Sequence, residues 1–310
     1  MNSPHPYIVI LFYKFVDIAD PAALAKAHKA KAAELGLKGR AIIAEEGINA
    51  TFEGARDAVR AYVDFLHADP RFADVLVKES EGTRDGKAFP KLSVKVRDEV
   101  VTLGAGRFDI ARETAPELPA AELEKWYDNG EDFVVLDLRN DYEIASGKFD
   151  NTVDFGLTNF RELPEKIAEM EKDPARAAEL AALKRKKIVP VCTGGIRCEK
   201  ATCFLKQAGF ENMHQLKDGI HTYMKEFPGG HFKGTLFVFD NRLTTDVVPP
   251  TELPADKKVV IGSCVYCSCA TEQYACDDSV RPSRKILCCE DCFEEHRHEL
   301  RESVSVTIHA

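Results

Sequence analysis

The segment Cys192-Thr-Gly-Gly-Ile-Arg197 joins a thiol, two glycines and a guanidinium within six residues. The apolar strand Lys187-Ile-Val-Pro-Val191 runs into it, and a helix-forming stretch starts near Cys198. A cysteine so placed sits in a loop whose backbone N–H groups converge, beside the positive end of a helix. Both effects favour the thiolate, which is the reactive form of cysteine. Gly194 and Gly195 allow positive φ and a close approach of backbone to a ligand. Cys192 is therefore read as a nucleophile, and Thr193, Gly194, Gly195, Ile196 and Arg197 as the cradle for its substrate. Arg197 has two roles open, an anion contact or a salt bridge that shapes the loop. Cys198 is either a resolving thiol for Cys192 or a packing residue, and Cys203 is assigned to the core.

A second sulfur group lies near the C-terminus. Cys264-Val-Tyr-Cys267 and Cys289-Glu-Asp-Cys292 are two C-x-x-C knuckles separated by 21 residues. Four thiolates at that spacing suit tetrahedral, structural zinc, with Cys264, Cys267, Cys289 and Cys292 as ligands. Cys269, Cys276 and Cys288 could each substitute, and free or oxidised thiols are the alternative. No glycine-rich phosphate loop is present, so no nucleotide cofactor is expected.

Elements must hold these groups in place. Tyr7–Lys14 reads as a buried strand, Pro21 opens a helix ending near Gly36, and strands at 39–44 and 48–52 flank a turn at Glu46-Gly47. A helix over 55–68, a strand over Val75–Lys78 and another over Pro90–Arg97 follow. The order βαββαβ is that of a ferredoxin-like α+β unit. Beyond the looser stretch 104–119, helices alternate with strands at 133–138 and 188–191, which implies a parallel sheet covered by helices. The fold class is thus α/β in three parts: a ferredoxin-like domain over 1–112, an α/β domain over 113–230 carrying Cys192, and a cysteine-rich extension over 231–310.

Composition narrows the setting. The chain has 310 residues, with 42 basic and 51 acidic side chains, a net charge of −9 that disfavours an indiscriminate nucleic-acid binder. No apolar run approaches the roughly 20 residues that span a bilayer, and the N-terminus lacks a signal-peptide pattern. A cytoplasmic protein without a membrane or a stable protein partner is expected. Seven of its ten cysteines crowd the C-terminal region and the other three surround the loop, which in that compartment points to metal or catalysis rather than disulfides.

Asp137-Leu-Arg139, the Cys192 loop and Leu216-Lys-Asp-Gly219 together resemble a rhodanese domain. A longer set is more specific: Tyr13-Lys-Phe-Val16, Leu37-Lys-Gly-Arg40, Glu46-Gly-Ile-Asn49, Lys91-Leu-Ser-Val-Lys-Val-Arg97, Cys192-Thr-Gly-Gly-Ile-Arg-Cys-Glu-Lys-Ala201 and Phe239-Asp-Asn-Arg242. With it, nearly the whole chain is similar to the rhodanese-domain tRNA uridine 5-hydroxylases. Ala50 and Asp218 stand where that family tends to have glycine. The resemblance implies oxygen-dependent formation of 5-hydroxyuridine at the wobble position of tRNA, with the loop cysteine required and molecular oxygen as co-substrate. It also implies a structural ion pair between Asp137 and Arg139.

A loop thiolate supports two reactions. It can add to C6 of uracil so that the enolate reacts with oxygen at C5, or it can carry a sulfane sulfur as a thiosulfate or persulfide sulfurtransferase. Tyr142 and Glu143 either border the pocket or form a solvated face. For tRNA, the stretch 90–97 alternates, with Leu92, Val94 and Val96 on one side and Lys91, Ser93, Lys95 and Arg97 on the other. Up to residue 115 the chain has 17 basic and 17 acidic residues, so the −9 resides in the remainder. Lys91, Lys95 and Arg97 are therefore the candidate phosphate contacts.

Overall fold

The computed structural model describes residues 6–248, 253 and 257–303. It falls into two compact units. The first comprises the described residues up to Thr102 together with Asp240–Arg242, and the second runs from Leu103 to Phe239 and onward from Leu243.

The first unit has the order β1 (Tyr7–Phe15), α1 (Pro21–Glu34), β2 (Lys38–Ala44), β3 (Gly47–Ala55), α2 (Arg56–His67), β4 (Lys78–Glu81) and β5 (Leu92–Val96). Its sheet order is β4-β1-β3-β2-β5. The first four strands are mutually antiparallel at every pairing, the ferredoxin-like arrangement, and β5 joins β2 in parallel at the edge. Inward residues of alternate strand positions, Ile8, Ile10 and Phe12, pack with Phe52, Val59, Tyr62 and Leu66 in one core. Asp20 accepts a hydrogen bond from the Ala23 amide and Pro21 opens α1, a helix start written in the sequence.

Two sequence expectations shift in this unit. The fourth strand begins at Lys78 rather than Val75, because the turn after α2, stapled by Arg71 on Asp69, delays the chain and uses Val75 as a buried plug. Along β5, Leu92 and Val94 pack against the core, but Val96 is 43% exposed. The strand lies at the sheet edge, so its alternation does not yield a uniformly buried face.

In the second unit the central parallel sheet is built from β6 (Val134–Asp137), β7 (Thr152–Asp154), β8 (Lys187–Val191) and β9 (Asn212–Met213), in the order β9-β8-β6-β7. Strands β6 and β8, buried along nearly their whole length, lie side by side with Asp137 opposite Val191. Helices on this unit include α3 (Ala120–Asp128), α4 (Asp141–Ile144), α5 (Ile196–Gln207) and α6 (Gly219–Glu226). The C-terminal region adds a small antiparallel sheet of β10 (Tyr274–Asp277), β11 (Arg284–Leu287) and β12 (Leu300–Glu302), with helix α7 (Glu290–Glu295). Among the described residues, no helix is long and apolar enough to cross a membrane.

Candidate active site

Both central strands of the parallel sheet deliver chemistry at their carboxyl ends, where loops meet helix N-termini. Strand β6 ends in Asp137. Arg139 grips it through Nε to Oδ1 at 2.9 Å and Nη2 to Oδ2 at 2.7 Å, and both side chains are fully buried. Arg139 also donates to the carbonyls of Glu143 and Gly147, which fixes the start of the chain after β6. This is the structural pair that the resemblance implied.

Strand β8 ends at Val191 and Cys192 follows. Gly195, at φ +105°, turns the loop into α5 and its N–H points back at the Cys192 sulfur, 3.2 Å away. The loop is held from outside by α6. The amides of Ile220 and His221 donate to the carbonyls of Cys192 and Thr193, each at 3.0 Å. Gly219 is needed for this contact: its φ is +72°, and a Cβ there would lie 2.7 Å from the Cys192 carbonyl oxygen. Asp218 before it takes the left-handed conformation at φ 59°, which aspartate tolerates better than most residues.

Glu143 is the residue that reading the sequence assigned to a pocket border or a solvated face; the structure buries it completely inside the site. Its carboxylate receives Arg197 through two hydrogen bonds of 2.7 Å, the Thr193 hydroxyl at 3.3 Å and the Asn140 amide at 2.9 Å. Glu143 also closes the capping box of α4 with Asn140, and the Asn140-x-x-Glu143 spacing is a local signal by which a reading of the sequence can find it. Arg197 additionally donates to Thr193 at 3.2 Å and lies 6.0 Å from the Phe239 ring centre. Arg197 thus shapes the loop, and it also sits close enough to Cys192 to act on its charge.

Cys192 has no exposed surface. Burial alone raises a thiol, yet this one is pulled down to about 5. The hydrogen bond from the Cys198 thiol, the Arg197 charge and the amides of Cys198 and Gly195 outweigh the burial. Cys198 moves the opposite way: burial and its contact with the Cys192 sulfur push it well above the usual thiol range. The pair therefore consists of a thiolate and a thiol that donates to it. Cys203, one turn further, directs its S–H to the Glu199 carbonyl and belongs to the core.

Thr193, Gly194 and Gly195 are buried around the sulfur and Ile196 starts α5. Lys91, Lys95 and Arg97 are exposed on and beside β5, and Arg97 donates to its own strand at the Val96 carbonyl. Among the described residues, neither Lys91 nor Lys95 takes part in an ion pair. Lys14 pairs with Asp74, and Asn49 donates to the Val100 carbonyl at 3.1 Å.

The C-terminal knuckles converge. The sulfurs of Cys264, Cys267, Cys289 and Cys292 all lie within 4.8 Å of one another. Tetrahedral thiolates around zinc would stand about 3.8 Å apart at a Zn–S length near 2.3 Å. The Cys267 and Cys289 sulfurs are separated by 3.6 Å, and the donor set is all thiolate, so the residues fit a metal. A bond from the Val265 amide to the Leu287 carbonyl at 3.0 Å ties the first knuckle to the strand leading into the second. Cys276 faces Ser303 from β10, and Cys288 turns to the Cys289 carbonyl, which leaves both outside the quartet. Cys269 lies at its rim beside Cys267 and Cys289.

Comparison with known proteins bears on the whole chain. Residues 7–100 match a UPF0176 acylphosphatase-like domain, 119–226 a rhodanese-like domain and 233–303 a rhodanese C-terminal region. A protein of Cytophaga hutchinsonii named tRNA uridine(34) hydroxylase is 38% identical over 291 residues, covering 93% of this chain and 86% of that protein. One of the same name from Cupriavidus necator is 36% identical, covering 85% of this chain and 97% of the relative. Another from Onion yellows phytoplasma is 34% identical over 96% of this chain and 91% of its own length. With this identity along nearly its full length, the chain belongs to the tRNA uridine(34) hydroxylase family.

Proposed function

We propose that the protein is a cytoplasmic oxidoreductase that hydroxylates the wobble uridine of tRNA at C5 with molecular oxygen, using Cys192 as a covalent nucleophile. The observation that carries this reading is a fully enclosed thiolate in a loop closed by Arg197, in a chain whose relatives are named tRNA uridine(34) hydroxylase. Attack at C6 makes uracil C5 far more nucleophilic. Addition of the Cys192 thiolate to C6 makes C5 an enolate carbon that can take oxygen, and expulsion of the sulfur restores the ring. Thr193, Gly194, Gly195, Ile196 and Arg197 form the cradle for the base. Glu143 holds Arg197 and is a positioning residue. Because Cys192 is covered on every side, the base enters only when part of that cover moves.

The division of labour belongs to the same proposal: residues 1–112 contact RNA, 113–230 carry catalysis and 231–310 form an extension stapled by metal. Lys91, Lys95 and Arg97 supply phosphate contacts on an exposed edge strand. Cys264, Cys267, Cys289 and Cys292 hold zinc, whose contribution is to fasten two loops that have little apolar core of their own.

A second reading follows from the rhodanese-like match over 119–226: the same loop would stabilise a persulfide on Cys192. One experiment separates the two. Nucleoside mass spectrometry of tRNA from cells with wild-type protein, with Cys192→Ser and with neither should show a one-oxygen gain on uridine in the wild type alone. Equal yield from Cys192→Ser rejects the nucleophile. Replacement of a uridine oxygen by sulfur, told from an added oxygen by accurate mass, supports the sulfurtransferase.

A further inference from the structure

Two cysteine sulfurs, not one, meet at the site. Gly195 links the two cysteines: its N–H lies 3.2 Å from the Cys192 sulfur and its carbonyl takes the Cys198 N–H at 3.0 Å, which sets Cys198 in the first turn of α5, where it acts on the Cys192 charge. Both side chains are closed off from solvent. The covalent step assigned to Cys192 leaves Cys198 unused.

The reaction itself has an unmet requirement. Oxygen accepts four electrons on its way to one hydroxyl group and one water, and the C5–H bond of uridine supplies two. We propose that Cys192 and Cys198 supply the other two, cycling from dithiol to disulfide at each turnover. This inference rests on the hydroxylase reading.

The steps balance as follows. Cys192 adds to C6, C5 takes oxygen, and a proton makes a hydroperoxide there. Loss of the C5 proton and of the Cys192 thiolate restores the ring. The Cys198 sulfur then attacks the outer peroxide oxygen, the O–O bond breaks, and the thiol proton passes to the oxygen left on C5. That yields 5-hydroxyuracil and a sulfenic acid on Cys198. The Cys192 sulfur attacks the Cys198 sulfur and water leaves. In sum, uridine, oxygen and two thiols become 5-hydroxyuridine, water and one disulfide. An external thiol resets the pair. Enclosure serves this sequence, since a sulfenic acid formed beside Cys192 meets that sulfur before any thiol from solution.

The test uses the full-length protein, reduced and then freed of added thiol, mixed with unmodified tRNA in air-saturated buffer and quenched by alkylation under denaturing conditions. The expected result is a burst of about one hydroxylated uridine per chain. An equal amount of Cys192–Cys198 disulfide should be mapped by peptide mass spectrometry. Dithiothreitol should restore repeated turnover. Cys198→Ser should cut the thiol-free burst by about tenfold or more, while Cys203→Ser keeps the wild-type burst. Product formed with both sulfurs still open to alkylation, or repeated turnover with no thiol added, overturns the proposal and leaves the hydroxylase reading intact. If the wild type makes no hydroxylated nucleoside even with dithiothreitol, the hydroxylase reading falls and this inference with it. Mapping the wild type decides the matter even should Cys198→Ser fold poorly.

Discussion

Cys192 and the quartet Cys264, Cys267, Cys289 and Cys292 use the same atom in two settings. The loop sulfur is wholly buried, next to a guanidinium, a thiol donor and backbone amides, and its charge is stabilised without any metal ligand among its partners. The quartet spans the surface: Cys267 is exposed, Cys289 half-buried, and the flanking apolar cluster is small. Four sulfurs within 4.8 Å of one another gain most by sharing a cation, which neutralises them and ties two loops together. One isolated thiolate, held by weaker donors, retains its nucleophilicity. Number and spacing of sulfurs, more than the residue type, separate reactivity from fastening.

That contrast can be broken from either side. The largest expected effect is on activity: Cys192→Ser should lower tRNA hydroxylation by on the order of a thousandfold or more while leaving bound metal near wild type. Metal loss in that variant would mean the two sulfur groups are not independent. Next, Glu143→Gln leaves the Arg197 guanidinium buried beside a neutral amide, and chemical denaturation should show a loss of roughly 3 kcal/mol. Stability within about 0.5 kcal/mol of wild type would show that Glu143 does not anchor Arg197.

Removing metal should act elsewhere. Chelation, or Cys289→Ser, should release one zinc per chain by elemental analysis and open the segment around residues 257–303 to protease, with Cys192 alkylation in the denatured protein unaltered. Equal protease resistance with and without metal would remove the fastening role. The smallest effect belongs to the exposed edge strand. Changing Lys91, Lys95 and Arg97 together to alanine should weaken tRNA binding and flatten its dependence on log salt by about 2–3. An unchanged slope would take this strand out of RNA contact.

How far the sequence alone reached depends on the range of each interaction. The Cys192 loop was legible because strand, cysteine, glycines and helix are consecutive, and the two knuckles because each C-x-x-C is local. The ferredoxin-like order was legible from periodicity, with β4 displaced by the turn that Asp69 and Arg71 staple. Glu143 was left between a pocket border and a solvated face because its partner Arg197 lies 54 residues away, and only the adjacency of β6 and β8 brings the two together. Cys269, Cys276 and Cys288 could not be sorted from the quartet until the pairing of β10 with β12 brought Cys276 to Ser303. The exposure of Val96 goes with its place at the end of an edge strand, which alternation does not encode.

The sign of the pH response follows from Cys192. A thiol depressed to about 5 in the folded chain and ordinary when unfolded adds stability above the unfolded value, and that contribution declines as pH falls toward 5. The most direct measurement is the ultraviolet absorbance of thiolate against pH for wild type minus Cys192→Ser, in which the metal-site sulfurs cancel. A single titration centred near 5 is the predicted result. A midpoint in the ordinary thiol range, about 8.5, would contradict the claim that the loop holds this sulfur ionised.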